Sequence, residues 1–225
     1  MVSLTIDGIK VEVPEKTTVL QAAKKIGIKI PTLCDHPDLT PYGGCRLCVV
    51  QVEKARFPQA ACTLPVGEGM VIHTDSPELT TNRKNILKLM LSNYYDTGYA
   101  DGDHDESDNE LIYWARYYDL DYKSYMRKQQ QYLIDSDPNP FIWVDLNKCI
   151  LCARCIRACA EIQGRFVWGL AERGIENHIV AGAGVSLLEA NCESCGACVA
   201  YCPTSALDNK LSMGMGRPTK KIQTI

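Results

Sequence analysis

Eight cysteines in the C-terminal half carry the clearest chemical pattern of the 225-residue chain. They form two runs of the same spacing, C-x2-C-x2-C-x3-C, and a proline follows the second run. The runs are Cys149, Cys152, Cys155 and Cys159, and then Cys192, Cys195, Cys198 and Cys202 before Pro203. Thiolates at this spacing are typical ligands of [4Fe–4S] clusters. The pattern therefore predicts two such clusters and one-electron chemistry.

Two-cluster ferredoxins of bacterial type cross their ligands, because the fourth cysteine of each run binds the cluster of the other run. The first set is therefore predicted to be Cys149, Cys152, Cys155 and Cys202. The second set is predicted to be Cys192, Cys195, Cys198 and Cys159. Zinc also binds C-x2-C pairs, but a structural zinc site is usually completed by two such pairs. The two longer runs of four cysteines therefore favour clusters. Disulfides are disfavoured, since nothing at the N-terminus resembles a signal peptide and intracellular thiols stay reduced.

The other four cysteines lie in the N-terminal third of the chain. Their spacing is C-x10-C-x2-C-x13-C, and this N-terminal set is Cys34, Cys45, Cys48 and Cys62. Gly43 and Gly44 precede the central pair, and glycine lets backbone N–H groups approach cluster sulfurs. The set predicts a [2Fe–2S] cluster of plant-ferredoxin character, although its first interval is longer than in the plant C-x4-C-x2-C form. A structural zinc site is the alternative.

The elements around the N-terminal set predict a β-grasp domain. Alternating apolar residues flank Asp7-Gly8, which is the pattern of a hairpin with a two-residue turn. A helix is expected over residues 19–26, capped by one of the two preceding threonines and ended by a glycine. Residues 49–52 read as a strand. A hairpin, a helix and further strands follow the β-grasp order.

The middle of the chain predicts a helical connector. Residues 76–91 have apolar positions at helical spacing and a Ser-Pro start. Residues 111–120 read as a second helix, whose aromatic stripe indicates a core or a subunit interface. An acidic loop over 101–110 separates the two helices. Between the two cysteine runs, residues 165–171 and 179–185 are expected to form short strands.

These segments together predict an α+β protein in four parts. A [2Fe–2S] β-grasp domain covers residues 1–75, and a helical connector covers residues 76–140. A two-[4Fe–4S] ferredoxin domain of bacterial type covers residues 141–210, and an extended tail covers residues 211–225.

Composition excludes several classes of function. The net charge of −3 lacks the basic footprint of a nucleic-acid-binding protein. No apolar run approaches the roughly 18 residues of a transmembrane helix. There is no Walker A loop, and Gly182-Ala-Gly184 lacks the strand–GxGxxG–helix context of a dinucleotide site. A cytoplasmic protein without a substrate site of its own is expected.

With all twelve cysteines placed, the chain resembles one electron-transfer module. This module opens the large iron–sulfur subunit of respiratory complex I. It also forms the small diaphorase subunit of NAD-reducing hydrogenases and the N-terminal part of NAD-dependent formate dehydrogenases and of electron-bifurcating hydrogenases. The resemblance implies an electron relay between a flavoprotein subunit that oxidises NAD(P)H and a second redox catalytic subunit. That second subunit would be a formate dehydrogenase, a hydrogenase or a ferredoxin-linked enzyme, and anaerobic electron bifurcation is consistent with it.

The chain departs from this family at one cluster site. The family carries a third site, H-x3-C-x2-C-x5-C, after the first connector helix. Here Tyr94 stands at the histidine, and Gly98, Asp101 and Ser107 stand at the cysteines. The third cluster is therefore expected to be lost. The acidic loop resembles a calcium loop only in part, because its sixth position is glutamate and its twelfth is isoleucine, so a solvated loop is favoured.

Two further features of the sequence bear on function. The segment from Gly214 to Thr224 is similar to the link that joins the ferredoxin part of formate dehydrogenases to their molybdopterin domain. Arg46, Arg154 and Arg157 lie inside the cysteine motifs, where they either raise cluster potentials or are interface or surface residues, and the second alternative is favoured. The alternatives to a relay subunit are a free-standing multi-cluster ferredoxin and a structural metal scaffold.

Overall fold

The computed structural model describes residues 1–96 and 109–212. The described chain divides into two compact units. The first unit contains Met1–Asp35 and Pro41–Lys88. The second unit contains His36–Thr40 and the described residues from Leu89 onward. Within the described ranges, no helix is long and apolar enough to cross a membrane.

The first unit is built on a five-stranded mixed sheet. Its strands are β1 (Val2–Ile6), β2 (Ile9–Val13), β3 (Val49–Val52), β4 (Gln59–Ala60) and β5 (Val71–His73), in the order β2-β1-β5-β3-β4. β1 pairs antiparallel with β2 and parallel with β5. Helix α1 (Val19–Lys25) buries one face in the same apolar core as the sheet. This is the β-grasp arrangement that the sequence predicts.

The hairpin turn has the backbone that its sequence requires. Ile6 and Ile9 are paired across the turn, and Asp7 and Gly8 have φ angles of 48° and 81°. Positive φ at both central residues is the geometry of the turn that best matches strand twist. The Asp7 carboxylate also accepts a hydrogen bond of 2.7 Å from the backbone N–H of Thr74, which follows β5. The predicted two-residue hairpin is confirmed.

Helix α1 begins with a reciprocal cap. The Thr18 hydroxyl accepts from the N–H of Gln21 at 3.2 Å, and the Gln21 side chain accepts from the N–H of Thr18 at 2.9 Å. The two bonds satisfy backbone donors that the first helical turn leaves open. Of the two predicted capping threonines, Thr18 is therefore the N-cap.

We expect Thr18→Ala to lower the free energy of unfolding of the first unit by about 1 kcal/mol, because the N-cap acceptor is lost. The measurement is the urea midpoint reported by pulsed hydrogen exchange of peptides from α1. Gln21→Glu is the matched control, since glutamate keeps the acceptor of the box and should leave the midpoint nearly unchanged. Equal losses in the two variants would contradict the assignment.

Helix α2 (Pro77–Asn93) follows the sheet. Pro77 occupies the first turn, and the Ser76 hydroxyl accepts a hydrogen bond of 3.2 Å from the N–H of Leu79. Leu79, Leu87 and Leu91 are fully buried on one face. The first connector helix is therefore confirmed, and it ends two residues later than the sequence predicts.

The second unit is made of short elements. They are α3 (Glu110–Tyr117), α4 (Tyr122–Tyr125), β6 (Ile142–Val144), α5 (Arg154–Arg157), β7 (Trp168–Ala171), β8 (His178–Ala181), α6 (Ala197–Tyr201) and β9 (Leu207–Asn209). β6 pairs antiparallel with β9, and β7 pairs antiparallel with β8. α5 continues into a π-helical turn, Ala158–Ile162. The core joins apolar residues of these strands to cysteines of both runs.

The strands between the two runs are shorter than the sequence predicts. β7 begins at Trp168 rather than at Arg165, because Gly164 and Phe166 have φ angles of 63° and 54°. A left-handed residue interrupts the extended backbone of a strand. β8 ends before Gly182, whose φ of 52° starts a turn.

The aromatic stripe of α3 is divided between core and surface. Trp114 and Tyr118 are buried, whereas Tyr117 is exposed. Trp114 makes edge contacts with Tyr113 and Tyr117, at 5.0 and 5.3 Å between ring centroids. Most of the stripe therefore stabilises the second unit.

Candidate iron–sulfur sites

The N-terminal set comes together in loops of the first unit. The Cys45–Cys48 loop leads into β3, and Cys62 follows β4 closely. All four cysteines of the set are buried. The N–H of Cys45 lies 3.5 Å from the Cys34 sulfur, and Cys34 and Cys48 each hydrogen bond the Cys62 thiol. The fold thus links these four cysteines in a chain of hydrogen bonds.

Mutual hydrogen bonding stabilises negative charge within the N-terminal set. Bonds from the Cys45 and Cys62 thiols lower the pKa of Cys34 to about 2, and the backbone N–H groups of Cys45 and Gly44 lower it further. The donating Cys62 has a raised pKa, chiefly because of its bond to Cys34. Gly43 lies at a φ of 71°, so the glycine pair allows the close backbone approach that the sequence predicts.

In the second unit, the described cysteines of the first run are close to Cys202. Burial raises the pKa of Cys149 and of Cys152 to about 12, and the negative charge of Cys202 raises both further. The charge of Cys202 also raises the pKa of Cys155, although burial and the charges of Cys152 and Cys149 are larger causes. The first set therefore shares one electrostatic environment.

The second set is arranged in a similar way. Burial raises the pKa of Cys192, and the charges of Cys195 and Cys159 raise it as well. Burial also raises the pKa of Cys198 to about 12, with contributions from Cys192, Cys202 and Cys195. Cys159, the last cysteine of the first run, is thus close to Cys192 of the second run.

Both runs have left-handed residues on either side of their second cysteine. Leu151 and Ser194, each just before the second cysteine of its run, have φ angles of 55°. Ala153 and Gly196, each just after it, have φ angles of 56° and 77°. These turns aim N–H groups at sulfur: the N–H of Ser194 donates to the Cys192 sulfur at 3.4 Å, and Leu151 donates to Cys149. Successive N–H groups in such turns form concave sites for negative charge.

The chemistry of these donors fits iron–sulfur clusters. None of the twelve cysteines, all within the described ranges, forms a disulfide. Across residues 1–96 and 109–212, no three His, Cys, Asp or Glu side chains form a group that would hold a single metal ion. In a [4Fe–4S] cluster each thiolate binds a different iron, so a cluster needs a wider group than one ion does. Most of these thiols are also buried, and several receive N–H donors, which stabilise cluster-bound thiolates.

Val167 and Trp168, the residue before β7 and its first residue, donate hydrogen bonds to sulfurs of the second set. The N–H of Val167 lies 3.3 Å from the Cys159 sulfur, and the buried Trp168 side chain hydrogen bonds Cys198 and lowers its pKa. Neither donor was predicted from the sequence. Nothing in the spacing identifies Trp168, because only the fold of the β7–β8 hairpin brings its indole to Cys198.

We expect Trp168→Phe to shift the reduction potential of the second-set cluster to more negative values, because a donor to a ligand sulfur is lost. Iron content should stay unchanged, since all the thiols remain. The measurement is a redox titration followed by EPR. Trp114→Phe is the control, because the Trp114 ring packs against tyrosines. Equal shifts in the two variants would contradict a role for the indole N–H.

The three arginines of the motifs differ in exposure. Arg46 is exposed, but Arg154 is 2% exposed, so the surface placement favoured from the sequence is wrong for Arg154. Arg157 donates to the Thr40 carbonyl at 2.6 Å, and the N–H of Thr40 donates to Glu161 at 2.7 Å. These contacts lie within the second unit.

Tyr94, which stands at the position of the family's third-site histidine, is buried in the second unit. Its hydroxyl accepts a hydrogen bond of 2.9 Å from the Asn109 side chain, and burial raises its pKa. Gly98, Asp101 and Ser107 lie outside the described residues, as does most of the acidic loop considered for calcium. The segment Gly214–Thr224 also lies outside them.

Two family models match the chain. Residues 1–77 match a 2Fe-2S iron-sulfur cluster binding domain. Residues 139–208 match the ferredoxin-like domain of NADH-quinone oxidoreductase subunit 3. The chain is thus similar to a [2Fe–2S] binding domain in its N-terminal third and to a ferredoxin-like domain toward its C-terminus.

Similar proteins are subunits of NAD(P)H-linked oxidoreductases. The NADPH-Fe(3+) oxidoreductase subunit alpha of Geobacter sulfurreducens is 38% identical over 97% of this chain and 25% of its own length. An NADH-quinone oxidoreductase subunit of Rhizobium meliloti is 35% identical over 92% of this chain and 24% of its own length. The mitochondrial NADH-ubiquinone oxidoreductase 78 kDa subunit of Neurospora crassa is 34% identical over 100% of this chain and 30% of its own length. The chain therefore spans less than a third of these relatives.

A solved structure resembles the chain over nearly its whole length. One chain of an NAD+-reducing [NiFe]-hydrogenase in the H2-reduced state has a TM-score of 0.79 and 29% identity, over 96% of this chain and 90% of that one. These similarities confirm the predicted resemblance to the N-terminal region of complex I large iron–sulfur subunits and to a subunit of NAD-reducing hydrogenases. The resemblance to formate dehydrogenases and to electron-bifurcating hydrogenases stays a prediction.

Proposed function

We propose that this chain relays single electrons through one [2Fe–2S] cluster and two [4Fe–4S] clusters. The N-terminal set would hold the [2Fe–2S] cluster, and the first and second sets would each hold one [4Fe–4S] cluster. The observation that supports this proposal is the backbone N–H donor that reaches a cysteine sulfur in each set, from Cys45 to Cys34, from Leu151 to Cys149 and from Ser194 to Cys192. When bound, the clusters supply the one-electron chemistry, while the protein sets their position and potential.

The proposed partners follow from the similar proteins. A flavoprotein subunit would exchange hydride with NAD(P)H and pass electrons singly to this chain. A second redox catalytic subunit, such as a hydrogenase, a formate dehydrogenase or a ferredoxin-linked bifurcating enzyme, would stand at the other end of the relay. The similarity to one chain of an NAD+-reducing [NiFe]-hydrogenase supports a partner of the hydrogenase kind, and we propose that the complex is cytoplasmic.

Iron and acid-labile sulfide analysis of anaerobically purified protein tests the proposal. About ten irons per chain are expected from one [2Fe–2S] and two [4Fe–4S] clusters. EPR of the reduced protein should show one [2Fe–2S] signal and two interacting [4Fe–4S] signals. Few irons with stoichiometric zinc would overturn the proposal, and about fourteen irons would reveal a third [4Fe–4S] cluster.

A further inference from the structure

A buried arginine lies inside the first set. Arg154 follows Cys152 closely and directly precedes Cys155, and its side chain is 2% exposed. It begins α5, and its backbone N–H donates to the Cys152 sulfur. A guanidinium that is removed from water is costly unless it is paired and hydrogen bonded. The groups that pair with Arg154 therefore also lie near the first set.

Glu110 pairs with Arg154 in a two-pronged geometry. The two guanidinium nitrogens lie 2.6 and 2.9 Å from the two carboxylate oxygens. Such paired bonds between arginine and a carboxylate fix direction as well as charge. Glu110 comes from α3, far from Arg154 in the sequence, so no local pattern predicts the pair.

Backbone contacts hold Glu110 against the other end of the first set. The N–H of Glu110 donates to the carbonyl of Pro203 at 2.8 Å, and Pro203 directly follows Cys202. Asn109 caps α3 and donates its amide to the Tyr94 hydroxyl. The helix start that carries Glu110 is therefore anchored next to the fourth cysteine of the first set.

The two charges of the pair are expected to have opposite effects on a cluster held by the first set. A guanidinium stays protonated in proteins, so Arg154 places a positive charge beside Cys152, to whose sulfur its backbone N–H donates. A positive charge favours the more negative, reduced state of a neighbouring cluster, and a carboxylate opposes it. The Arg154 side chain is 2% exposed and that of Glu110 is 25% exposed, so solvent screens this pair less than it screens a surface pair.

We propose that the Arg154–Glu110 pair sets the reduction potential of the first-set cluster. This inference rests on the proposed function, since it requires a cluster on the first set. Arg154 raises the potential and Glu110 limits the rise. The two are positioning residues that act through charge and through their backbone N–H bonds to the Cys152 sulfur and the Pro203 carbonyl, and neither binds iron.

The test compares Glu110→Gln, Arg154→Gln and the double variant in the full chain, purified anaerobically. EPR-monitored redox titration gives the potential of each [4Fe–4S] cluster. We expect Glu110→Gln to shift the first-set potential to more positive values and Arg154→Gln to shift it to more negative values. The double variant should fall between them. A merely structural pair would alter cluster content or line shape without this opposition of sign.

A second ion pair supplies a matched control. Arg165 pairs with Glu193, which lies inside the second run, and both side chains are about half exposed. Solvent and salt screen exposed charges, so Glu193→Gln should leave the second-set potential nearly unchanged. Arg154→Lys keeps the charge and should stay closer to the parent potential than Arg154→Gln does. If Arg154→Gln fails to hold clusters, the potentials of Glu110→Gln and Arg154→Lys still show the direction in which charge shifts the first-set potential.

The outcomes separate this inference from the proposed function. A parent protein without iron and sulfide refutes both. A parent with about ten irons, whose first-set potential is unmoved by Glu110→Gln or moves in the same direction in both single variants, refutes the charge role alone. Opposite shifts confined mainly to one of the two [4Fe–4S] potentials support it.

Discussion

Replacing Cys202 with alanine should abolish the same EPR signal that replacement of Cys152 abolishes, although the two residues belong to different runs. The reason is the arrangement of the second unit, in which the charge of Cys202 acts on Cys149, Cys152 and Cys155. By the same reasoning, Cys159→Ala should remove the signal that Cys195→Ala removes. In each variant we expect the iron content to fall from about ten to about six per chain.

The measurement is EPR of the reduced variants together with iron and sulfide analysis. Cys149→Ala serves as the reference for the first set, and Cys192→Ala serves as the reference for the second. If Cys159→Ala removed the signal of the first set, the ligands would follow the order of the runs, and the crossed assignment would be wrong. Loss of both [4Fe–4S] signals in every variant would instead mean that the two sites fold as one.

Removing iron with a chelator under oxidising conditions should unfold the second unit while leaving most of the first unit folded. The second unit has only two-stranded sheets within the described residues, and Cys155, Cys159 and Cys198 contribute to its core. Two-stranded sheets are at best marginally stable by themselves, and metal binding can supply the folding free energy of such small units. The first unit keeps a five-stranded sheet with its own apolar core.

Tryptophan fluorescence reports this unfolding selectively. The three tryptophans of the chain, Trp114, Trp143 and Trp168, all belong to the second unit. We expect their emission to shift to longer wavelength as iron is lost, whereas amides of β1 and β5 should keep their protection against hydrogen exchange. Unchanged fluorescence in iron-free protein would show that the second unit folds without metal. Loss of protection in both units would contradict their independence.

Local patterns predicted most of the first unit. The hairpin around Asp7-Gly8, helix α1 and strand β3 each depend on neighbouring residues, and each was located within a residue or two. The cysteine runs were also visible in the sequence, because their spacing is a local pattern, but the division of the cysteines into ligand sets stays a prediction. The division of roles between Thr17 and Thr18 was not, since either threonine could supply the capping hydroxyl.

The interactions that modify the sites escaped the sequence because they join distant segments. Glu110 contacts Arg154 only after α3 has docked against the loop that follows Cys202. Trp168 contacts Cys198 only after β7 has paired with β8. The surface placement of Arg154 failed for the same reason, since arginine is usually exposed and its buried partner lies elsewhere in the chain.

Cys195 is the one exposed cysteine among the twelve, all of which lie within the described ranges. Oxidation of a thiolate depends on how readily an oxidant reaches it as well as on its charge. With a cluster bound as proposed, the lifetime of the protein in air depends on this one exposed ligand rather than on the average burial of its sulfurs. A surface that covers Cys195 in a complex would then prolong that lifetime as well as pass electrons.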